Sequence, residues 1–300
     1  MNKFITIEAN KEWLEFKKNS FGIEYEIYTR NGIEFIIYTK DIFFKKYLTA
    51  SHSPLFGDVS HQEVLKEYSI LLQELLQNRD IIGLRHFSLG YEFSDTALIN
   101  QYFHYQLQEW GSFITQIYDL DELWKSYKSK IRYEVKKSKK ILTIRELTLE
   151  DFDESLKIKN EAKQRDNLAF ISPTRWRNNL LFYIQSQYFF PIGVFKNDTM
   201  VATAILSYYG NTMNWGGLAV ANYAKKHKIN ALHYLNWWAI EKSYEIGMKY
   251  FDTVGYNPHN RSKREDGIYL FKKRLSNLDV RYFNMHHYKH IYKAIHWIKK

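Results

Sequence analysis

Three short stretches carry residue types capable of group-transfer chemistry. In "NWGG", Trp215 precedes Gly216 and Gly217. Paired glycines in a β-rich run let a ligand approach the backbone closely, or mark a bulge that relieves crowding in an aromatic sheet. In "YFDTVGY", Asp252 follows Phe251 and precedes Gly255 and Tyr256. A carboxylate in this setting steers or deprotonates an amine, or else caps a nearby loop. In "LFKKRL", Lys272, Lys273 and Arg274 follow Phe271. Helical geometry points these three in different directions, so that one faces a site while the others are solvated, unless all belong to a solvated basic face. Arg132 and Arg165 are further candidates, because a guanidinium holds phosphate or carboxylate through its fork of donors. A surface salt bridge is the alternative for each.

Other spacings point away from chemistry. His233 falls in an apolar helix with Trp237 one turn on, where a histidine is usually a satisfied core residue. His286 and His290 have the i, i+4 spacing of a metal pair, but no third ligand lies near them and no metal is expected. The chain has no cysteine, which excludes disulfides, thiolate nucleophiles and Cys-based metal centres. No Ser-His-Asp order, Walker loop or Rossmann fingerprint is present, so hydrolase, NTPase and dehydrogenase readings have no support.

The elements that must position these residues follow from patterning. Three hundred residues, 45% hydrophobic and 25% charged, build one large or two ordinary domains with a real core. In the first half, "FITI" reads as a strand and "NKEWLEFKKN" as a helix. "YEIYTRNGIEFIIYTK" reads as a hairpin, since Asn31-Gly32 suits a type I′ turn. Ser60 and Glu63 open a helix to Asn78. "IIGLRHFSL" is a strand, Ser94 caps a helix to Trp110, and "SFITQIYDL" is a strand. In the next segment Leu123, Tyr127, Ile131 and Val135 recur every four residues, giving one amphipathic connecting helix over 121–140.

The second half repeats the alternation. A strand "ILTIREL" precedes a helix begun by Thr148 and Asp151, and Ser172-Pro173 starts another. Three strands follow ("FPIGVF", "MVATAILSYY", "TMNWGGLAV"), then a helix from Asn230 to Ile246 that Gly247 ends. "YFDTVGY" is a strand, "SKREDGIYLFKKRL" a helix and "DVRYFNM" a strand. A basic, apolar-striped tail over 287–300 reads as a helix. The fold class expected is α/β in the mixed α+β sense: two related domains, each a mixed, mainly antiparallel sheet flanked by helices. Residues 1–120 form the first, 121–140 the joining helix and 141–300 the second.

Charge separates the halves. Residues 1–120 hold 11 Lys and Arg against 16 Asp and Glu; residues 121–300 hold 32 against 17. The second half therefore suits an anionic partner: a nucleotide, a phosphopantetheine, RNA or a membrane surface. No apolar run of about 18 residues is present, and the start has no signal-peptide core, so a cytoplasmic protein is expected.

The segment "DLDELWKSYKSKIRYEVKKSKK" with "LTIREL", and the later "NWGGLAV" and "ALHYLNWWAIEKSYEIGMKYFDTVGYNPHNRSKREDGIYLFKKRL", resemble the Fem-type aminoacyltransferases, which build peptidoglycan cross-bridges from two tandem GNAT-like domains. The likeness spans about residues 115–285; the first domain shares the architecture and the "SPLFGD" loop. The resemblance implies that the second domain carries the donor site. It implies that Trp215, Gly216 and Gly217 lie on the strand that bonds the acyl donor, that Lys272 meets the donor's phosphate, and that Asp252 serves the amine. Arg165 is then donor-binding, and Arg132 and Tyr256 acceptor-binding. Two features depart from the family. No coiled-coil arm interrupts the second domain. The interval "ANYAKKHKIN" has no glycine where acetyl-CoA enzymes of this superfamily carry a Gly-rich pyrophosphate loop; Lys225, Lys226 and Lys228 stand there instead.

The function implied is N-acyl transfer to an amine of a peptidoglycan or surface-glycan precursor. Aminoacyl-tRNA, acyl-CoA or acyl-carrier protein is the donor substrate, and no bound cofactor is expected. The acceptor is a small molecule or a lipid-linked glycan or peptide; tRNA is a further partner and DNA is not. Peripheral contact with the inner face of the membrane falls to 287–300. Two alternatives stay open: a non-catalytic RNA-binding protein and a membrane-surface binder, both using the basic half.

Overall fold

The computed structural model describes residues 2–42, 44–259 and 261–288. The first unit holds Met1–Gly111, Gly255–Ser262 and the chain from Val280. Helix α1 (Lys11–Phe21) begins where the Asn10 side chain accepts from the Trp13 N–H, and it ends at Gly22 with φ 62°. Strands β1 (Glu24–Arg30) and β2 (Ile33–Ile42) form the expected hairpin. Asn31 and Gly32 have φ of 48° and 74°, both positive as a type I′ turn requires. β3 (Lys45–Ala50), α2 (His61–Gln77), β4 (Ile81–Ser88) and α3 (Thr96–Tyr102) follow. Sheet order in this unit is β1-β2-β3-β4, with the last strand of the chain pairing antiparallel to β4. β3 and β4 are parallel and the other neighbours antiparallel. The core joins Phe35 and Ile37 of β2 to Leu65, Tyr68 and Leu72 of α2 and to Leu84 and Phe87 of β4. The i, i+3, i+4, i+7 spacing of the α2 residues is what one buried helix face demands.

The second unit holds Ser112–Val254 and Lys263–Asp279. Its elements begin with the end of β5 (Gln106–Gln116), then α4 (Leu120–Ser126), α5 (Ser129–Lys139), β6 (Thr143–Glu146), α6 (Phe152–Arg165) and α7 (Pro173–Gln185). Next come β7 (Phe189–Lys196), β8 (Thr199–Tyr209), β9 (Thr212–Val220), α8 (Asn222–Lys226), α9 (Leu232–Glu245), β10 (Tyr250–Asp252) and α10 (Lys263–Arg274). β11 (Leu278–Tyr288) starts here and continues in the first unit. The sheet order is β5-β10-β9-β8-β7-β6; β9 and β10 are parallel and the rest antiparallel. β8 is buried over Met200–Ser207, as a central strand covered on both faces must be.

Each unit thus carries the mixed, mainly antiparallel sheet with flanking helices read from the sequence. Several boundaries differ. The expected single helix over 121–140 is two helices, and both lie in the second unit. The four-residue stripe continues through the break, so the pattern hides it. Tyr127 is turned inward there, its hydroxyl donating to the Leu275 carbonyl at 2.9 Å. Residues 255–262 and those from 280 leave the second unit for the first, against the expected block of 141–300. The reason is pairing: β11 makes its antiparallel ladder with β4. The helix expected from Ser94 to Trp110 stops at Tyr102, and Trp110 lies in β5. "FITI" is not a strand, whereas β3 was not foreseen. Of the tail, His287 and Tyr288 extend β11, and the remainder of 287–300 lies outside the described residues. No helix among the described residues is long and apolar enough to cross a membrane.

The start of α6 shows how strongly local sequence is used. Thr148 and Asp151, read as the start of a helix, form a capping box on the 3₁₀ turn Leu149–Asp151 that leads into α6, with the Thr148 N–H donating to Asp151 at 2.8 Å. Arg145 of β6 adds a two-pronged pair to the same carboxylate, both contacts 2.7 Å. Arg145 first, through these bonds, holds the Asp151 carboxyl below its ordinary range. Asp151→Ala is expected to cost about 2 kcal/mol in urea unfolding at pH 7. Because the folded value is depressed, the contribution is present above the ordinary carboxylate range and lost as pH falls below it. The parent and variant curves should therefore converge in acid.

Candidate functional site

The splayed end of the β9–β10 pair gathers most of the candidates in the second unit. β10 pairs β9 only over Thr212–Asn214, opposite Tyr250–Asp252. From Trp215 to Val220, β9 has β8 on one side and no β10 partner on the other. Backbone groups along this stretch are the kind a ligand can use. The same stretch is bulged: Thr203 pairs with Ala219 and Ile205 with Gly216, leaving Gly217 and Leu218 opposite Ala204 alone. Gly217 has φ 56°, and a Cβ there would meet Ile205 Cγ1 and Lys159 Nζ, each at 3.2 Å. Both constraints select glycine. Trp215 itself points into the core, 5% exposed, its ring centroid 5.9 Å from that of Phe251. Along this stretch, then, Gly217 is exposed and the Trp215 indole is not.

Asp252 ends β10 and is fully buried. Its Oδ1 accepts from Ser112 Oγ of β5 at 2.5 Å and from the Val254 N–H at 2.7 Å; Asn214 Nδ2 lies 3.4 Å from Oδ2. The Thr253 side chain and N–H both donate to the Phe113 carbonyl. The turn so fixed holds Val254 at φ 55°, a conformation that a β-branched residue adopts at a cost of order 1–3 kcal/mol. Lys272 of α10 closes the arrangement, its Nζ donating to the Val254 carbonyl at 2.7 Å. A strained turn is thus clamped by a carboxylate on its N–H and an ammonium on its C=O. Burial lowers the Lys272 amine to about 8, while the Asp252 charge opposes that fall. Lys273 and Arg274 are exposed, Lys273 lying over the Tyr269 ring, so Lys272 is the one of the three that turns inward.

The other candidates take separate places. Arg165 ends α6, donating Nη2 to the Val220 carbonyl at 2.7 Å and Nη1 to the Asn222 side chain. Arg264 pairs with Asp166 beside it, and Lys225 feels both arginines. The last residues of β9 therefore lead to a group of three cations and one carboxylate. Glu161 takes the first N–H of α8, that of Asn222, at 2.6 Å. Arg132 spans the break between α4 and α5, donating to the carbonyls of Lys125 and Tyr127 at 2.8 and 2.5 Å. Tyr256 belongs to the first unit, where it exchanges backbone bonds with Gly111 and its ring lies under the Arg281 guanidinium. A Cβ at position 111 would lie 2.3 Å from that ring. His233 is half-buried against Phe271 and bonded to the Asn230 side chain, as a core histidine would be. His286 meets Gln108 and the edge of His86, and His290 lies outside the described residues. Among the described residues no three His, Asp or Glu side chains converge as metal ligands do.

Sequence reasoning missed Lys159. It is 6% exposed on α6, between Trp176 of α7, whose ring lies 4.4 Å from Nζ, and the Gly217 carbonyl, which accepts its hydrogen bond at 2.8 Å. Ser155, Ile158 and Lys159 form the inward face of α6. A lysine at the i+4 position of a buried stripe is the signal that would have found it.

No family model matches the sequence, and no curated protein matches it. Solved structures share its fold. FemX superposes with a TM-score of 0.71 at 14% identity, covering 95% of this chain and 93% of its own. L-PGS from Bacillus licheniformis gives 0.60 at 14% identity, covering 99% and 97%. The C-terminal domain of a proposed lysylphosphatidylglycerol synthetase from Agrobacterium fabrum gives 0.57 at 9% identity, covering 87% and 84%. The chain therefore has the Fem-type fold over nearly its whole length.

Proposed function

We propose that a Fem-type fold with this bulged, half-paired strand makes the protein an N-acyltransferase that moves an aminoacyl or acyl group to an amine of a peptidoglycan or surface-glycan precursor. The single observation behind this reading is the free-running β9 backbone at Gly216–Gly217, next to the Asp252–Val254–Lys272 clamp. Acyl transfer needs N–H groups for the carbonyl oxygen that becomes an oxyanion, and positive charge where the leaving group departs. The Gly217–Leu218 bulge beside Gly216 supplies the first and the Lys272 ammonium the second. Asp252, wholly buried with Ser112 and Val254 on one oxygen, organises this clamp. The acceptor amine then loses its proton to solvent or to the substrate itself. Of the other candidates, Arg165 extends the donor site toward phosphate. Arg132 and Tyr256 stand as acceptor-side positions to be probed by substitution.

Among donors we favour aminoacyl-tRNA over acyl-CoA. A pyrophosphate cradle is built from backbone N–H groups at a helix start. Here the first N–H of α8 is occupied by the Glu161 carboxylate, an anion itself. Side-chain cations (Arg165, Lys225 and Arg264) are left to meet donor phosphates, a pattern suited to a phosphate reached by flexible side chains. Titration calorimetry on the full chain separates the cases. Charged tRNA is expected to bind at micromolar concentration, at least tenfold more tightly than CoA or acyl-CoA, and Lys272→Ala is expected to weaken it about tenfold. Tight binding of CoA alone would move the protein to the thioester enzymes. Sequence-blind RNA affinity without any transfer to a glycan or peptide amine would replace the enzyme reading with the RNA-binding one.

A further inference from the structure

Lys159 is costly where it stands. Its ammonium is removed from water, and no carboxylate pairs with it among the described residues; the charge that acts on it is that of Lys163, of like sign. Trp176 from α7 and the Gly217 carbonyl from β9 meet the amine, and neither is acidic. A leucine or methionine would fill the same space between α6 and the sheet without that cost. Gly217, by contrast, is exposed, so its carbonyl needs no lysine to be satisfied, since water would serve. What a lysine adds is direction. One fixed donor on the Gly217 oxygen sets the peptide plane between Gly217 and Leu218. In a bulge whose glycine has positive φ, that plane is otherwise the least constrained in the strand.

We infer that Lys159 is a positioning residue of β9: from α6 it holds the Gly217 carbonyl, and so aims the N–H groups of the Gly216–Leu218 bulge at the acyl carbonyl of the donor. This rests on reading β9 as the donor strand. The amine does not touch substrate; it acts through one peptide group. Removing it leaves the bulge in place but lets its peptide plane turn, so the donor binds in more than one orientation.

The chain lacks cysteine, which permits a clean test. Lys159→Cys supplies the only thiol, and alkylation with 2-bromoethylamine in denaturant, followed by refolding, rebuilds a lysine-like side chain in which sulfur replaces one methylene. Lys159→Met is the second variant. Two readouts are taken: backbone amide exchange over 214–221 in the protein without donor, and the donor KM and kcat of the transfer. Lys159→Met and the unalkylated Lys159→Cys should exchange at Gly217 and Leu218 at least tenfold faster than the parent. Their donor KM should rise about tenfold with a smaller fall in kcat, and the alkylated protein should recover both. Folded variants with exchange and donor KM within twofold of the parent overturn the inference, as does alkylation that restores neither. A parent that binds no donor, while exchange still responds to Lys159, would instead count against the donor-strand reading and leave the bulge contact standing.

Discussion

At pH 7 the Lys159→Met variant is expected to be more stable than the parent, although it is expected to be the poorer catalyst. Burial, then the like charge of Lys163, brings the Lys159 amine from 10.5 down to about 7. A tenfold loss of proton affinity corresponds to about 1.4 kcal/mol, so protonation of this one group opposes folding by about 4 kcal/mol at pH 7. Losing the Gly217 contact and the indole interaction gives back about 2 kcal/mol. The net gain is about 2 kcal/mol, which for a unit of this size raises its Tm by about 5 °C. Between about 7 and 10.5 the unfolded chain binds more protons at this site than the folded one, so the parent gains stability as pH rises through that window. Below it the penalty is constant, and above it there is none. The advantage of the variant should therefore be largest at and below pH 7, vanish near pH 9 and reverse by pH 10.5, where only the lost contacts remain. Thermal unfolding at pH 6, 7, 9 and 10.5 reads this directly; a variant less stable than the parent at pH 6 would show that the lysine is a net structural contact. A residue that lowers stability and raises function is what selection at an active site leaves behind.

How far the sequence carried this picture depended on the range of the interaction. Features closed within four residues were plain. Thr148 with Asp151, Ser172 before Pro173, and Asn31-Gly32 all sit where their local chemistry places them. The alternation of strands and helices gave the mixed, mainly antiparallel strand pairing within each unit. Failures began where a distant partner decides. The pattern across Tyr127 is periodic, yet the chain breaks there because the tyrosine reaches a carbonyl 148 residues away. β11 runs past Met285 because β4 is there to pair with it. Trp110 was read as helix and lies in β5, whose identity depends on partners far along the chain.

The site divides in the same way. Gly216, Gly217, Asp252 and Lys272 were visible as types: two small residues, a carboxylate flanked by aromatics, and one lysine of a basic trio. Their organisation was not. Ser112, which fixes the Asp252 carboxylate, is 140 residues distant, and nothing in "GSFI" marks that serine. The strain at Val254 was equally hidden, since valine in a strand-like "YFDTVGY" suggests extended backbone. Lys159 looked like one of many charges in "ESLKIKNEAKQR"; only its phase on the helix sets it apart.

Asp252→Asn is expected to move the alkaline limb of the activity profile rather than merely lower it. In the parent the Lys272 amine lies at about 8, burial pulling it down and the Asp252 charge pulling it up. If transfer needs the ammonium, kcat/KM should fall as pH rises through about 8. Asparagine keeps an oxygen for Ser112 and for the Val254 N–H, so the turn survives, but it removes the charge that supports the ammonium. The Lys272 amine then loses its proton at a pH lower by roughly one, as expected when a nearby opposite charge is removed. At pH 8 the variant should lose about fivefold in kcat/KM, and at pH 6 far less, because Lys272 is largely protonated there in both proteins. Ser112→Ala supplies the contrast. It removes a hydrogen bond of the same carboxylate but not its charge, so its limb should stay near that of the parent even if its rate falls. Profiles of the three proteins between pH 5.5 and 9.5 decide the matter. Parallel curves for parent and Asp252→Asn would mean that the carboxylate does not govern Lys272. A limb displaced equally in both variants would assign the effect to the geometry of the Val254 turn. A limb displaced only in Asp252→Asn makes the buried aspartate an electrostatic support for the lysine. This is the role that its position, sealed from solvent with its charge facing the clamp, leaves open to it.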